Sequence, residues 1–425
     1  MPLGPDDPPG PCLSQYLDGG SDAPIAVGFS GGSDSLAALV ATLAFARPHG
    51  RRVLAMTVDH DLQAQSRAWT ADCAKMASRL GAEPVALVWA ENRPFSDTGL
   101  TALARQARHR LLARAARQHG ARVLVLGHTR NDRAEADWMR NRGANLGQLR
   151  AWSPSPVWPE GRGLFVLRPL LDCDREDLKA ALAAGGLGWI NDPANLDPRF
   201  MRSRARQALA LDPQDPATLE GSLPYWPTVL GGLGHLGALC LDRKALQAAP
   251  SGVAAFLARA LLCVSGSIEP VRSDRLGRLE ARLRSRDEFA ATLSGVRLFA
   301  DNQTAWMVRE GVRAGAQAHC ALQDGVWDGR FEIEGLSPDQ SLAPLKGHAA
   351  ALSRADRAWI QTVPAQIRPT LPVVLTGGLA PVLPGFRDPP HAQPPGTITA
   401  KSLMIARLKA ACGQVFNEQG LMIDA

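Results

Sequence analysis

The sequence contains no apolar run long enough to span a membrane, no paired-cysteine motif and no secretory signal pattern. A bilayer span requires roughly 18 consecutive apolar residues, and no stretch approaches that length. The seven cysteines are scattered and never spaced Cys-x-x-Cys, which indicates reduced thiols and argues against a zinc or iron–sulfur site. The Pro-, Gly- and Asp-rich N-terminus lacks a basic segment followed by an apolar one. We therefore expect a cytoplasmic protein.

The sequence also lacks a large excess of charge of either sign. Lysine and arginine total 47 against 41 acidic residues, which gives a net charge of +6. The positive charge is nearly all arginine, beside abundant Ala, Gly and Pro, a bias that genomic base composition alone produces. This charge permits an acidic partner such as RNA without demonstrating one.

A chain of 425 residues is too long for one ordinary domain. A proline-rich stretch from 213 to 227 predicts the main boundary. We predict a flexible leader over residues 1–22, a catalytic domain over 23–212, a helical and α+β domain over 228–315, and a β-rich domain over 325–425. The domain over 325–425 carries no recognisable chemistry, and we expect it to position the substrate, while we expect the domain over 228–315 to bind it.

The most informative stretch begins with an apolar run, Pro24 to Phe29, that predicts a short buried strand. It continues as Ser30-Gly31-Gly32-Ser33-Asp34-Ser35 and then as an apolar-periodic segment typical of a helix. The glycines allow positive φ, and the first-turn N–H groups and hydroxyls face outward, which predicts an anion site. A plain helix N-cap on a βα turn is the alternative.

Further strands and helices alternate along the next 160 residues. We predict strands at 52–59, 85–88, 122–126 and 164–167, and helices at 66–80, 99–119 and 175–184. Such alternation predicts a doubly wound, mostly parallel Rossmann-like sheet, whose ligands bind at the carboxyl ends of the strands. Ser30–Ser35, Asp59-His60 and 128–135 all follow strand ends, so we expect them to converge. A long loop without periodicity spans 143–163.

The C-terminal half is predicted more coarsely. Residues 231–264 and 272–286 read as helices, and 292–300 and 304–309 as a strand pair around Asp301-Asn302. Strand-like runs at 373–375 and 379–383 and a helix at 401–412 complete the third region. The α/β domain is thus followed by two smaller α+β domains.

The motif Ser-Gly-Gly-Ser-Asp-Ser resembles the pyrophosphate-binding loop of the N-type ATP pyrophosphatases, the PP-loop superfamily. The order of later motifs resembles the tRNA(Ile)-lysidine synthase family over about residues 24–206. The segments that carry this resemblance are Ser30–Ser35, Val58-Asp59-His60-Asp61-Leu62, Ala104-Arg105-Gln106-Ala107-Arg108-His109, Gly127-His128 with Asp132 and Glu135, Arg142-Gly143, Arg168-Pro169-Leu170-Leu171, and Trp189 to Asn195 with Arg202 and Arg206. The sequence departs from the family pattern at Asp61, Thr129, Asn131, Arg133 and Ala136.

The resemblance implies an ATP-dependent ligase. In this family ATP adenylates the 2-carbonyl oxygen of the wobble cytidine in tRNA(Ile) with a CAU anticodon, releasing pyrophosphate. The amine of free L-lysine then displaces AMP to form lysidine. The implied cofactors are ATP and Mg²⁺, and the implied partners are this tRNA and lysine.

The same resemblance implies roles for individual residues. Asp34, Asp132 and Glu135 would be catalytic, with Asp34 on the metal and the other two on the lysine ammonium or metal. ATP would bind at Ser30, Gly31, Gly32, Ser33, Asp34, Ser35, Asp59, His60 and His128. The tRNA would contact Arg105, Arg108, Arg142, Arg168, Arg202 and Arg206.

Alternatives remain for several of these residues. Asp132 and Glu135 also fit a capping-box-like helix start, and the histidines also fit orienting or satisfied polar groups. Arg105 and Arg108 also fit a solvated helix face. At the level of function, the rivals are a cytidine thiolase (which normally needs Cys-x-x-Cys pairs), an amidating synthetase, and a catalytically inactive nucleotide- or RNA-binding module.

Overall fold

The computed structural model describes residues 3–4, 6–60, 66–89, 100–144, 146–191, 201–212, 214–216, 230–231, 236–248, 253–269, 271–285, 287–311, 322–386 and 398–421. The chain forms two compact units. The first comprises Met1–Gly221 together with Val415–Ala425, and the second comprises Ser222–Gln414. In the described residues, no helix is both long and apolar enough to cross a bilayer.

The first unit is an α/β domain. Its strands are β1 (Ile25–Gly28), β2 (Val53–Asp59), β3 (Glu83–Val88), β4 (Val123–Leu126), β5 (Trp152–Pro154) and β6 (Phe165–Leu167). Its helices are α1 (Pro9–Tyr16), α2 (Ser33–Ala46), α3 (Ser66–Leu80), α4 (Leu100–Gln118), α5 (Arg130–Arg140), α6 (Arg175–Ala184) and α7 (Met201–Leu211).

The six strands form one sheet in the order β3-β2-β1-β4-β6-β5. All neighbours are parallel except β5, which runs antiparallel to β6. Strands β1 and β4 are short apolar runs that the sheet buries, as expected for central strands covered on both faces. The strand order reverses direction beside β1, so the doubly wound parallel sheet is confirmed. This reversal leaves a crevice at the carboxyl ends of β1 and β4.

Residues 9–16 differ from the predicted flexible leader. They form α1, whose Leu13 is wholly buried in the same apolar core as β1 and α2. The ring of Tyr16 stacks on Trp152 with centroids 5.5 Å apart. The Pro- and Gly-rich composition suggested disorder, but two buried apolar side chains, Leu13 and Leu17, anchor the segment.

Residues 415–421 return to the first unit, and we call this segment the C-terminal clasp. Glu418 accepts two hydrogen bonds of 2.7 Å from the guanidinium of Arg51, and both side chains are only 1% exposed. Glu418 also accepts from the Asp18 N–H at 2.9 Å. The Trp152 indole N–H donates to the Val415 carbonyl at 2.8 Å. The clasp therefore ties α1, the start of β2 and β5 to one distant segment.

In its described residues, the second unit contains three sheets and five helices. Its strands are β7 (Leu230–Gly231), β8 (Leu239–Asp242), β9 (Phe289–Leu293), β10 (Val296–Ala300), β11 (Thr304–Arg309), β12 (Leu322–Gln323), β13 (Val326–Trp327), β14 (Phe331–Glu334), β15 (Gln340–Pro344), β16 (Pro372–Thr376), β17 (Gly385–Phe386) and β18 (Thr399–Ser402). Its helices are α8 (Arg243–Ala248), α9 (Val253–Ser265), α10 (Ser273–Arg284), α11 (Arg354–Thr362) and α12 (Met404–Ala411).

Two apolar cores lie in this unit. One is built on α9, α10 and the sheet β7-β8-β11-β10-β9, and the other on the sheet β12-β13-β14-β18-β17 with α11. The predicted strand at 292–300 is instead a hairpin of β9 and β10, because Ser294 and Gly295 adopt φ of 49° and 76° and turn the chain. Residues 239–242, predicted helical, form β8 and pair with β11.

Candidate active site

Three strand ends meet at one cavity of about 470 Å³. Ser30 after β1, Asp59 and His60 at the end of β2, and Gly127 and His128 after β4 all line it. Parallel strands place their carboxyl ends on one edge of the sheet, and β1 lies between β2 and β4. The predicted convergence of these segments is therefore confirmed.

The loop Ser30–Ser35 is closed by its own serines. The Ser35 hydroxyl donates to the Gly32 carbonyl at 3.0 Å and accepts from the Ser30 N–H at 3.2 Å. The Ser33 hydroxyl donates to Asp34 Oδ1 at 3.0 Å. These bonds hold Asp34 in the first turn of α2 and fix the shape of the loop before any ligand arrives.

Two glycines allow the close packing around this loop. Gly31 has φ of 79°, and a Cβ there would lie 2.6 Å from Ile190 Cδ1 and 2.8 Å from Cys73 Sγ. A Cβ on Gly127 would lie 2.4 Å from the Asp34 carbonyl oxygen, which is backbone and cannot swing away. The Ile190 N–H also donates to the Gly31 carbonyl at 2.9 Å. Only glycine permits these approaches.

The N-terminus of α2 carries no side-chain cap among the described residues. Its N-cap is Gly32, in an extended conformation, and no side chain accepts from the first-turn N–H groups. These donors therefore point toward the cavity with the positive end of the helix dipole. An ordinary capped turn would have satisfied them with a Ser or Asp oxygen, so the geometry favours an anion site.

Beside the loop lies a group of three carboxylates and three guanidinium groups, which we call the carboxylate–arginine network. The Arg175 guanidinium spans all three acids, with Nε 2.8 Å from Asp34 Oδ2, Nη2 3.2 Å from Asp132 Oδ1 and Nη1 3.4 Å from Glu135 Oε1. The members are Asp34, Asp132, Glu135, Arg175, Arg202 and Arg206. Formal charges in this group balance at neutral pH.

Arg202 and Arg206, on α7, supply the remaining contacts of the network. Arg202 Nε lies 2.7 Å from Glu135 Oε2, and its Nη2 contacts Asp132 Oδ1. Arg206 Nε lies 2.7 Å from Glu135 Oε1. Their i, i+4 spacing places both arginines on one face of α7, and that face meets the carboxylates of α5. Both side chains are about one-third exposed, at 34% and 33%, and their predicted contact with RNA phosphates stays a prediction.

Asp132 caps α5 and also faces the arginines of the network, and its partner in the capping box is Thr129 rather than Glu135. Its Oδ2 accepts from the Thr129 N–H at 2.7 Å and completes a capping box at the start of α5. Its Oδ1 faces Arg175 and Arg202. Burial raises the pKa of Asp132, but the charges of Arg202 and Arg175 and the Thr129 N–H outweigh it and bring the pKa down to about 2. The carboxylate is therefore ionised at any physiological pH.

Arg175 is the residue that sequence reasoning missed. It stands first in α6, which was predicted correctly, but nothing in the motif Arg168-Pro169-Leu170-Leu171 indicated its role. Its backbone N–H donates to Asn131 Oδ1 at 3.0 Å, which fixes the start of α6 against α5. The sequence signal that could have identified Arg175 is its position at the amino end of α6, near the edge of the sheet where the strand ends meet.

Histidines in the cavity wall are neutral. Burial, followed by the Arg168 charge, lowers the pKa of His128 to about 3. Burial and the charge of Arg108 lower the pKa of His60, whose ring meets Trp89 edge-on at 6.0 Å. Burial, with Arg108, Arg105 and Arg168, lowers the pKa of His109 to about 3. A neutral imidazole leaves one nitrogen free to accept a hydrogen bond.

His109 makes stability depend on pH. The unfolded chain protonates this residue near pH 6.5, whereas the folded chain does so only near pH 3. Unfolding free energy should therefore fall as pH drops between these values, by at most about 1.4 kcal/mol per pH unit for this residue. His109→Gln should flatten that slope in urea denaturation at several pH values. The control His119→Gln, outside the cavity, should keep it, and equal slopes would refute the assignment.

The remaining arginines proposed for tRNA separate into buried and accessible ones. Arg168 is buried and donates to the Arg150 carbonyl at 2.9 Å and to Ser153 Oγ at 3.0 Å, and its contact with tRNA stays a prediction. Arg108 is half-buried at the cavity, and burial with neighbouring arginines lowers its pKa to about 10. Arg105 is exposed. The Arg142 guanidinium lies 3.7 Å from the centroid of the Trp138 ring.

A second cavity of about 500 Å³ lies on the other side of the network. Glu135, Arg175 and Asn131 line it. Arg206 lines both cavities. The carboxylate–arginine network thus forms a wall shared by two cavities. The first contains the loop Ser30–Ser35, and Glu135 lines the second.

The described residues include no cluster of three or more His, Cys, Asp or Glu that could hold a metal. Within the loop Ser30–Ser35, Asp34 is the residue that carries a carboxylate. Such a donor set fits Mg²⁺ bound together with a nucleotide, because this ion takes one or two carboxylates and completes its shell with phosphate oxygens and water. The segment Asp192 to Asn195, and Asp61 with Leu62, lie outside the described residues.

Comparisons with known proteins agree with this geometry. Residues 13–212 match the family model described as a PP-loop domain. The chain is 45% identical over 415 residues to a tRNA(Ile)-lysidine synthase of Caulobacter vibrioides, covering 96% of this chain and 97% of the relative. It is 34% identical to one of Hyphomonas neptunium, covering 66% of this chain and 79% of the relative.

Among solved structures, the U34-tRNA thiolase NcsA of Methanococcus maripaludis, with its [4Fe-4S] cluster, aligns at a TM-score of 0.40 and 16% identity. The alignment covers 48% of this chain and 72% of the thiolase. A match at this distance carries no argument about the reaction.

Proposed function

This chain belongs to the tRNA(Ile)-lysidine synthase family of ligases, and from that membership we propose its substrates and the tasks of its residues. The proposed reaction joins free L-lysine to carbon 2 of the wobble cytidine in tRNA(Ile) with a CAU anticodon. ATP first adenylates the 2-carbonyl oxygen and releases pyrophosphate, and the amine of lysine then displaces AMP. The chemistry belongs in the cytoplasm, where these substrates occur.

One observation carries the proposal. An uncapped helix start behind a serine- and glycine-rich loop opens onto the same cavity that Asp132 and Arg202 line. The loop offers donors to the anionic tail of ATP, and the acids offer partners to a cationic substrate. Phosphoryl chemistry depends mostly on such positioning and on neutralising charge.

At the nucleotide end, N–H groups of α2 and the serine hydroxyls would hold the phosphates. Asp34 would hold Mg²⁺ with the phosphate oxygens, and the bound ion would neutralise charge on the departing pyrophosphate. The bond from Ser33 orients the Asp34 carboxylate for that task. The neutral His60 and His128, after β2 and β4, would orient the nucleotide rather than carry charge.

At the amine end, Asp132 and Glu135 would receive the lysine ammonium. Both carboxylates are almost fully buried, at 5% and 2% side-chain exposure, so a cation that reaches them is held in a low-dielectric site. The second cavity, which Glu135 lines, offers a path of access to this wall. For the tRNA, the proposed contacts are Arg105, Arg108, Arg142, Arg168, Arg202 and Arg206, of which Arg105 is the exposed one on α4, and the second unit would position the substrate.

The test measures pyrophosphate release and identifies the product. We expect repeated turnover only when tRNA, ATP and lysine are all present, because without lysine the adenylated tRNA is not consumed and release stops after one equivalent of pyrophosphate. Mass spectrometry of the digested tRNA should show a cytidine increased by one lysine residue. Repeated turnover without lysine would indicate a different acceptor, such as the amidating or thiolating rivals. ATP binding without any turnover would support the inactive nucleotide-binding module.

A further inference from the structure

Arg175 occupies the positions that two substrates need. In the proposed reaction Asp34 serves the nucleotide end, while Asp132 and Glu135 serve the lysine end. A single guanidinium, 15% exposed, contacts all three of them. The arginine therefore stands where the cationic partners of both ends would otherwise be.

The connectivity of the network makes Arg175 unlike the other two arginines. Among the three acids of the network, Arg202 contacts Asp132 and Glu135, and Arg206 contacts Glu135. Among the described residues, Arg175 is the one cation paired with Asp34. Removing Arg175 would separate Asp34, at the nucleotide end, from Asp132 and Glu135, at the lysine end. Asp132 and Glu135 would both stay paired with arginines of α7.

Displacement of Arg175 by lysine alone is unfavourable. The incoming ammonium would have to break three ion pairs of a largely buried guanidinium, and a buried charge left without a partner costs several kcal/mol. The triphosphate changes this balance, because it brings new anionic oxygens to the loop next to Asp34. A guanidinium binds phosphate oxygens in bidentate fashion, so Arg175 can exchange carboxylates for phosphate without losing its partners.

We propose that Arg175 is an electrostatic placeholder that makes lysine binding conditional on ATP binding, an inference that rests on the proposed function. Without nucleotide, the guanidinium closes the acidic site to free amines. With nucleotide, it turns to the phosphates and leaves one cation position open beside Asp132 and Glu135, which keep their contacts with Arg202 and Arg206. Arg175 thereby acts as a positioning residue that orders the two substrates.

The experiment measures binding of radiolabelled L-lysine to the full chain by equilibrium dialysis, without tRNA. The probe for the nucleotide is α,β-methylene-ATP with Mg²⁺, whose bridging carbon prevents release of pyrophosphate. We expect the analogue to raise lysine affinity at least about tenfold in the wild type. Because coupling is reciprocal, lysine should raise affinity for the analogue by the same factor.

Two variants and one control isolate the guanidinium. Arg175→Met should bind lysine without the analogue and show less than about threefold coupling. Arg175→Lys keeps a charge but cannot span three carboxylates, so it should also lose coupling, and a cooperative thermal transition will show that it folds. Lys179→Gln removes a cation from the same helix, where it pairs with Glu176, and should keep the wild-type coupling.

The outcomes distinguish failure of the placeholder role of Arg175 from failure of the proposed function. Lysine affinity in the wild type that does not respond to the analogue, together with normal lysidine formation, would overturn the placeholder alone. Full coupling in Arg175→Met would overturn it too. Absence of lysidine with tRNA, ATP and lysine would overturn the proposed function, and the placeholder with it.

Discussion

Replacing Asp132 by Asn is expected to lower the rate of lysidine formation by about 10²- to 10³-fold, the range typical for removing one preorganised electrostatic contact. The amide oxygen can still accept from the Thr129 N–H, so the start of α5 keeps its cap. The charge that faces Arg175 and Arg202 is lost. Lysine then meets a site with one carboxylate fewer. Product formation is measured by incorporation of labelled lysine into tRNA.

Asp137→Asn is the matched control for this variant. Asp137 lies on the same helix and pairs with Arg140, outside the network, so this variant should retain the wild-type rate. Affinity for α,β-methylene-ATP should change by less than about threefold in Asp132→Asn, which corresponds to less than 0.7 kcal/mol by the usual conversion. A wild-type rate in Asp132→Asn would show that the residue serves only as a helix cap.

Replacing Glu418 by Ala is expected to destabilise the first unit by about 3–5 kcal/mol, the usual cost of leaving one partner of a buried ion pair alone. Arg51 would keep its bonds to the carbonyls of Asp18 and Ala23 but would lose its only neutralising carboxylate among the described residues. Hydrogen exchange of peptides covering 9–23 and 415–421 should rise sharply. These peptides report on the clasp itself, whereas melting of the whole chain reports on both units.

Glu83→Ala provides the comparison. Its partner Arg52 is the neighbour of Arg51, but that pair is 61% and 47% exposed, and exposed pairs contribute about 0–1 kcal/mol. Exchange in the two clasp peptides should remain at its wild-type level. Equal protection in Glu418→Ala and Glu83→Ala would mean that packing of Trp152 and Tyr16, rather than the ion pair, holds the clasp.

Sequence patterns located the elements of the first unit closely. The helix predicted at 66–80 begins and ends where α3 does, and the one at 175–184 coincides with α6. Periodicity succeeds here because an amphipathic helix or a buried strand imposes its pattern on consecutive residues. The loop and the three strand ends could be placed on one edge of the sheet for the same reason, since parallel strands share a direction.

Contacts between residues far apart in the chain could not be predicted from the periodicity of the sequence. The pairing of Arg175 with Asp34 spans 141 positions, and that of Arg51 with Glu418 spans 367. The family resemblance implied a tRNA contact for Arg168 and gave no sign that its side chain is buried and donates to Ser153 and the Arg150 carbonyl. Strand β5 and helix α1 were missed because proline and glycine mask short elements that tertiary packing stabilises.

The clasp also has a consequence for biosynthesis. Residues 222–414 are translated between Gly221 and Val415, an interval of roughly 10 to 40 s at ordinary elongation rates. During that time a ribosome-bound nascent chain contains all six strands of the first sheet while Arg51 still lacks Glu418. The segment that completes the first unit thus leaves the ribosome only after the second unit has been translated, and translation products that stop before it would expose the first unit to proteases.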